Sequence, residues 1–532
     1  MENVSIILIL LFGITFLGLL SKRYNFPFPI VLVLSGVCIS LIPGLPVVLL
    51  DPTIVFILFL PPLLYAAAWN TSWHNFKASV RPITFAAVGL VFFTTALVAL
   101  TAHLLIPGVT WPLAFLIGAI VSPPDAVAAT SLTKGLGLHP KLITILEGES
   151  LVNDASGLIA YKYALAAIAA GNFFFWQAGL NFIIVVGAGI GIGLLIGYLL
   201  YVIHKKFVCD SVIEVTLTIL APFASYLLAE HFHFSGVLAV VTTGLYLSFR
   251  SGQIFTNESR IMTYSVWEVV VFILNSLIFI LLGLQLRSVM EGIKEYPSGA
   301  LALYGIVLSA VVILVRFIWV LPAAMHRLYI TKNTVKKEQF DRRNMVVFGW
   351  AGMRGVVSMA AALALPLTIQ NNVLFPHRNL VIYLTFCVIL STLILLGFTL
   401  PWIIKKLKIP QYSIAAEEYE VRTNVVAETI SHIEENLSLL PDELLNNIKS
   451  KYEVKYNRLQ KTDLPSNYFG QGKTLAGNIF NEFTKLQLDL IGVERQVIER
   501  LHLQGKTSDE ILRKLEKELD LEETRLQLEM YH

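Results

Sequence analysis

The sequence predicts an all-α polytopic membrane protein of about thirteen transmembrane helices, followed by a helical cytoplasmic module. Three observations carry that prediction. Hydrophobic residues make up 55% of the 532-residue chain and charged residues only 14%, with a mean hydropathy of +0.69, whereas a soluble domain is about 25% charged. Apolar runs long enough to cross ~30 Å of hydrocarbon recur from the first residues to about residue 404. The loops between them alternate in basic character.

The spans are read at 3–20, 28–47, 53–69, 82–107, 111–132, 142–168, 178–203, 211–230, 234–249, 264–286, 299–325, 346–368 and 379–404. The first has no basic residue ahead of it and no small-residue cleavage site, and its charges, Lys22 and Arg23, follow it. It reads as a retained helix rather than a signal peptide. Assigning successive loops to alternate faces puts sixteen Lys and Arg residues on one side, from Lys22 to Arg343, and only Arg287, Lys294 and Arg378 on the other. By the positive-inside rule the N-terminus is outside. The chain after Lys405-Lys406-Leu407-Lys408 is then cytoplasmic, and the protein is a multi-pass component of the plasma or inner membrane.

The chain divides into a transmembrane domain, 1–412, and a cytoplasmic tail, 413–532. The tail holds 22 of the 37 acidic residues but 15 of the 40 basic ones, so it is acidic where the membrane part is basic. Its last stretch, SDEILRKLEKELDLEETRLQLEM, opens with a capping sequence and places Leu512, Leu515, Leu519 and Leu521 among charges, the pattern of an amphipathic helix. The segment TDLPSNYFGQGKTLAG reads as a loop. Its GQGKT lacks the first glycine of a phosphate-binding loop and follows no strand.

Three cysteines, Cys38, Cys209 and Cys387, have neither disulfide nor metal-ligand spacing. No haem, zinc or flavin motif occurs and no nucleophile, base and oxyanion set can be assembled. The expectation is a transporter rather than an enzyme, with no cofactor and no nucleic-acid partner.

The helix breakers locate the working part. Span five contains Ser122-Pro123-Pro124-Asp125, whose adjacent prolines remove two backbone donors. Span twelve contains Gly349-Trp350-Ala351-Gly352-Met353-Arg354-Gly355. If spans 1–6 and 8–13 are two six-helix repeats joined by span 7, both breaks fall on the fifth helix of a repeat, the signature of an inverted-repeat transporter with its site at the midplane. Broken helices expose amides at their N-terminal ends and carbonyls at their C-terminal ends. Asp125 can balance the former and Arg354 the latter, and either residue can serve the dipoles alone or also meet the transported ion.

Four carboxylates, Asp125, Glu147, Glu149 and Asp154, fall inside or beside these apolar stretches, where they are costly to bury and mark an ion or proton site. In EGESLVNDASGLIAY, Ser150 and Asp154 are four apart and share a helix face, as do Glu149 and Asn153. A carboxylate, a hydroxyl and the carbonyls of a broken helix make an oxygen-rich pocket suited to a small hard cation. The carboxylate can take a proton when the cation leaves, and competition between the two for one group is antiport. A channel lined by Asp125 and Asp154, and a sensor working through its tail, are the alternatives from other classes.

EGESLVNDASGLIAY, with SPPDAVAA before it and GWAGMRGVVSMAAALALP, AEHFHFSGVLAVVTTGLYL and LIFILLGLQL after it, resembles the monovalent cation:proton antiporters of the sodium/proton exchanger family in its bacterial form, over essentially all of residues 1–410. The resemblance implies an elevator-type fold with crossing broken helices. Core spans lie within 82–168 and 299–404, and scaffold spans that form a homodimer lie within 3–69 and 211–286. It implies exchange of Na+, or of Li+ or K+, for H+ at Asp154, in the service of pH and sodium homeostasis. Asn153 matches the Asn-Asp pair of the electroneutral branch and orients the site. Ser150 matches a side-chain ligand for Na+ and the backbone around Pro124 a carbonyl ligand. Arg316 is implied as the ion-pair partner of Glu149, with Arg354 second. Lys162 reads as a snorkelling side chain, Glu230 as an interhelical hydrogen-bonding or interface group, and the tail as a docking place for a cytoplasmic regulator, a dimer contact or an inhibitor.

Overall fold

The computed structural model describes residues 2–24, 26–42, 52–125, 138–170, 175–207, 210–294, 296–330, 342–369, 374–408, 414–436, 446, 448–453, 455–456 and 477–531. Its helices are α1 (Glu2–Tyr24), α2 (Phe28–Ser40), α3 (Pro52–Trp69), α4 (Trp73–Ala78), α5 (Val80–Leu105), α6 (Trp111–Val121), α7 (Pro140–Ala170), α8 (Phe175–Phe207), α9 (Ser211–His231), α10 (Gly236–Ile254), α11 (Asn257–Glu291), α12 (Ser298–Ile330), α13 (Arg342–Trp350), α14 (Val356–Leu363), α15 (Arg378–Lys406), α16 (Ile414–Asn436), α17 (Gly477–Leu503) and α18 (Asp509–Tyr531). Among the described residues there is no β-strand, only an isolated bridge between Thr368 and Leu374.

The chain folds as two units, Met1–Ile254 with Tyr264–Gln411, and Phe255–Thr263 with Tyr412–His532. In the first, six described helices are long and apolar enough to cross a membrane: α5, α8 from Phe182, α9, α11, α12 to Val320, and α15. Shorter apolar helices, Phe28–Ser40, Phe56–Trp69 and Trp111–Val121, stand among them. Large apolar side chains point outward as well as inward, as with Leu8, Phe12, Phe16 and Leu19 of α1, which suits a surface whose solvent is lipid.

Packing sorts most of these helices, α1, α2 and α11 apart, into two groups. One gathers α5, α6, α7, α12, α13, α14 and α15, and the other α3, α8, α9 and α10; α3 meets α7 and α14, and α10 meets α7, across the division. Small residues hold the second group close. A Cβ on Gly189 of α8 would lie 2.8 Å from the Ser235 carbonyl oxygen, one on Gly193 2.5 Å from that of Ala239, and one on Gly197 2.9 Å from the Tyr246 ring. Glycines four apart let the backbones of α8 and α10 approach where lipid supplies no hydrophobic drive. In the first group α5 widens into a π turn at Phe85–Leu90. There the Trp319 ring of α12 stacks on Phe85 at 4.8 Å and reaches within 2.6 Å of where a Gly89 Cβ would stand.

Two helices stop in the interior. α6 ends at Val121, ahead of the two prolines, and Ser122–Asp125 is not helical; the remainder of that apolar run, 126–132, lies outside the described residues. The twelfth apolar run is two helices, α13 and α14, with Ala351–Gly355 unwound between them.

In the second unit α16, α17 and α18 close on Val421, Val425, Ile491, Ile498, Leu501, Ile511, Leu515 and Leu519. Leu512 packs at the margin, but Leu521 is exposed, contrary to its place in the expected apolar stripe. Two residues after Leu519 it lies about 200° around the helix, on the opposite face. The Ser508 hydroxyl donates to Glu417 Oε2 at 3.1 Å, a bond to a neighbouring helix rather than to its own first turn. Arg260, read from sequence as a loop charge, belongs to this unit: it donates to both carboxylate oxygens of Asp520, at 3.0 and 2.5 Å. Arg495 shares that carboxylate at 2.6 Å and reaches Glu523 at 2.6 Å. The GQGKT segment lies outside the described residues.

Candidate ion-binding site

α7 carries Glu149, Ser150, Asn153 and Asp154 into the first helix group. Glu149 and Asn153 are fully buried and Asp154 is 6% exposed, while Ser150 and Glu147 are half-buried. The Asn153 side chain donates from Nδ2 to the Pro124 carbonyl oxygen at 3.0 Å, tying α7 to the broken segment after α6. Its other end, Oδ1, is buried with no hydrogen-bond partner among the described residues. Buried acceptors are rarely left so, because the lost hydration costs about 1–3 kcal/mol.

The two unwound segments are joined directly, the Asp125 backbone N–H donating to the Met353 carbonyl at 2.7 Å. Asp125 stands at the start of α14, where Gly355 is the N-cap. A Cβ on Gly355 would overlap the Asp125 carboxylate, so that carboxylate occupies the place of the capping side chain glycine lacks, beside amides that favour negative charge. Arg354 is the converse. It is 1% exposed and donates from Nε to the Val121 carbonyl at 3.0 Å and from Nη2 to the Ser122 carbonyl at 3.2 Å, serving the C-terminal end of α6, and from Nη1 to the Gly352 carbonyl of its own unwound segment. Its own backbone N–H is taken by Thr392 Oγ1 at 3.1 Å. Gly355→Ala is expected to displace Asp125 and sharply lower any transport while the protein still inserts; exchange and membrane abundance measured on the same preparation check this.

Glu149 pairs with Arg316 through two parallel hydrogen bonds, Nη1 to Oε1 at 2.7 Å and Nη2 to Oε2 at 2.9 Å, both side chains 1% exposed. Arg316 Nε donates to the Phe348 carbonyl at 3.2 Å and its guanidinium lies 5.0 Å from the centre of the Phe348 ring. Arg354 is not the partner of Glu149. Gly352 makes the room, since a Cβ there would stand 2.7 Å from Arg316 Nε and 3.1 Å from Arg354 Nη1.

Sequence reasoning missed two features. Thr392 is fully buried on α15, and nothing in the sequence of that span sets it apart from Thr385 and Thr399. Lys162 does not simply snorkel. Its ammonium lies 2.7 Å from both carboxylate oxygens of Glu230 at the end of α9.

The profile of the family described as "Sodium/hydrogen exchanger, transmembrane" matches residues 6–406. A protein of Mycobacterium tuberculosis named as an uncharacterised Na+/H+ exchanger is 31% identical over 523 residues, 95% of this chain and 93% of its own length. A sodium, potassium, lithium and rubidium/H+ antiporter of Bacillus pumilus is 32% identical over 417 residues, 76% of this chain and 62% of that protein. Among solved structures, the sodium proton antiporter MjNhaP1 of Methanocaldococcus jannaschii superposes with a TM-score of 0.59 at 19% identity, covering 76% of this chain and 99% of that one, a likeness of fold. A family profile spanning three quarters of the chain and a relative alike over nearly its whole length lead to one conclusion: this chain belongs to the sodium/hydrogen exchanger family, a family of transporters rather than enzymes.

Proposed function

We propose that the protein exchanges a monovalent cation, Na+ first and Li+ or K+ second, for H+ by letting the two compete for Asp154. The observation that carries this reading is the buried carboxylate of Asp154 next to an Asn153 Oδ1 that no described protein group satisfies. Both are acceptors. A small cation takes up the two together, and a proton on Asp154 replaces it. Ser150, one turn before Asp154, adds a hydroxyl. The Pro124 carbonyl orients Asn153 through one lone pair and keeps the other for the ion. The names of relatives that move Na+, K+ and Li+ against H+ support the same set of cations for this chain.

One titrating carboxylate in the Asn153-Asp154 pair gives one cation for one proton, an electroneutral cycle. Thirteen crossings, an outer N-terminus and a cytoplasmic tail in the plasma membrane follow from the loop charges, and a homodimer through the scaffold spans follows from the family resemblance. Alternating access is by an elevator in which the group holding α5–α7 and α12–α15 moves against the other. The sorting of helix packing into two groups supports it. Such a cycle would serve pH and sodium homeostasis.

Purified protein in proteoliposomes with an imposed pH gradient tests this. Adding Na+, Li+ or K+ in turn should release protons at a rate independent of membrane voltage, whereas voltage-driven current without counterflow would mean a channel. Ending the chain after about residue 412 is expected to leave some exchange measurable, because Asp154 and its partners all precede that point. Complete loss of exchange in a truncated protein that still reaches the membrane would make the tail part of the transport machinery.

A further inference from the structure

We propose that Lys162 and Glu230 are positioning residues that latch the ion-carrying helix to the scaffold in one of the two states of the cycle; this rests on the alternating-access reading above. Lys162 lies on α7 eight residues beyond Asp154, about 12 Å along the helix. Glu230 ends α9 in the opposite helix group. By the loop charges, both stand at the outer end of their spans. The Lys162 ammonium meets Oε1 and Oε2 of Glu230 at 2.7 Å each.

Glu230 is set in place without Lys162. Its Oε1 also accepts the backbone N–H of Gly236 at 3.2 Å, the first residue of α10, where a carboxylate is favoured by the free amides. A Cβ on Gly236 would stand 2.7 Å from the Tyr226 ring and 3.0 Å from Glu230 Cγ, so the α9–α10 turn is closed tightly around this carboxylate. Glu230 is therefore a fixed anchor on one group and Lys162 a long flexible arm on the other. Their exposure, 48% and 28%, separates this pair from Glu149–Arg316. An ion pair open to water is weak, which a brace could not use but a contact broken in every cycle requires. Sliding α7 against the α9–α10 hairpin parts these two groups.

The test is a Lys162→Cys/Glu230→Cys pair in the full-length protein, with each single cysteine variant as control. Cross-linking by a bifunctional methanethiosulfonate reagent long enough to bridge the span of a Lys–Glu contact, which a direct disulfide is too short to cover, should stop exchange in proteoliposomes and a reductant should restore it, while the singles are indifferent to both. Lys162→Gln and Glu230→Gln should each shift the apparent KM for the cation by about two- to five-fold with little change in abundance, and the exchanged pair Lys162→Glu/Glu230→Lys should return it towards the parent value. Failure of the cysteines to cross-link, or undiminished exchange once cross-linked, would overturn the latch. Exchange by the reduced pair and its loss in Asp154→Asn report separately on the transport reading itself.

Discussion

Replacing Asp154 with asparagine should reduce cation-driven proton release to background while the protein still inserts and purifies as the parent does. The substitution keeps the shape and some of the acceptor capacity of the side chain but removes the one group that can hold either a proton or a cation with a charge. A neutral amide next to Asn153 can still offer two oxygens to an ion, so weak cation binding is compatible with the change. What cannot survive is the exchange, since nothing in the pair then titrates. Folding should be spared because Asp154 makes no ion pair among the described residues, unlike Glu149 a turn earlier. Proton flux in proteoliposomes and elution of the purified protein on size exclusion are the two readouts. Full exchange by the variant would remove Asp154 from the site.

What was legible in the sequence follows the range of the interactions concerned. Apolar runs and loop charges are local, and helices occupy the runs that were read from them. The unwound segment in the twelfth run was readable from three glycines and an arginine. The prolines were a less reliable guide than they looked, because α3 runs unbroken through Pro61-Pro62 while α6 ends before Pro123-Pro124. The difference lies in what receives the freed backbone groups. Around Ser122 they meet Arg354 and Met353, from residues more than two hundred positions away. Pairings of that kind carry no local pattern. The Lys162–Glu230 contact, the hold of Thr392 on the Arg354 backbone and the inclusion of Arg260 in the tail unit were invisible for that reason, and Glu149–Arg316 was reached only through the family resemblance. Leu521 erred in the other direction: helical periodicity alone would have placed it off the stripe set by Leu515 and Leu519.

The buried pair predicts an asymmetry that a simple count of broken bonds does not. Removing one partner of a fully buried ion pair costs about 3–5 kcal/mol, chiefly because the other charge is left without compensation, and that is a large share of a stability of about 5–15 kcal/mol. Here the two ends are not equivalent. Arg316 and Arg354 both border the site of the missing Gly352 side chain, so the guanidinium that Glu149 pairs with has a second buried guanidinium as its neighbour. Glu149→Gln leaves two like charges together in the interior. Arg316→Met leaves one carboxylate with Arg354 still nearby, at the further loss of the bond to the Phe348 carbonyl, worth about 1 kcal/mol. Glu149→Gln should therefore lower the melting temperature in detergent more than Arg316→Met. The double variant should be more stable than Glu149→Gln alone, because it removes a charge along with its partner. The melting temperatures of the three variants settle the point. Equal losses would mean that Arg354 is screened from Glu149 by its carbonyl partners, and a double variant no better than Glu149→Gln would mean that the hydrogen bonds of Arg316 to the α13 backbone, rather than its charge, hold this part of the core.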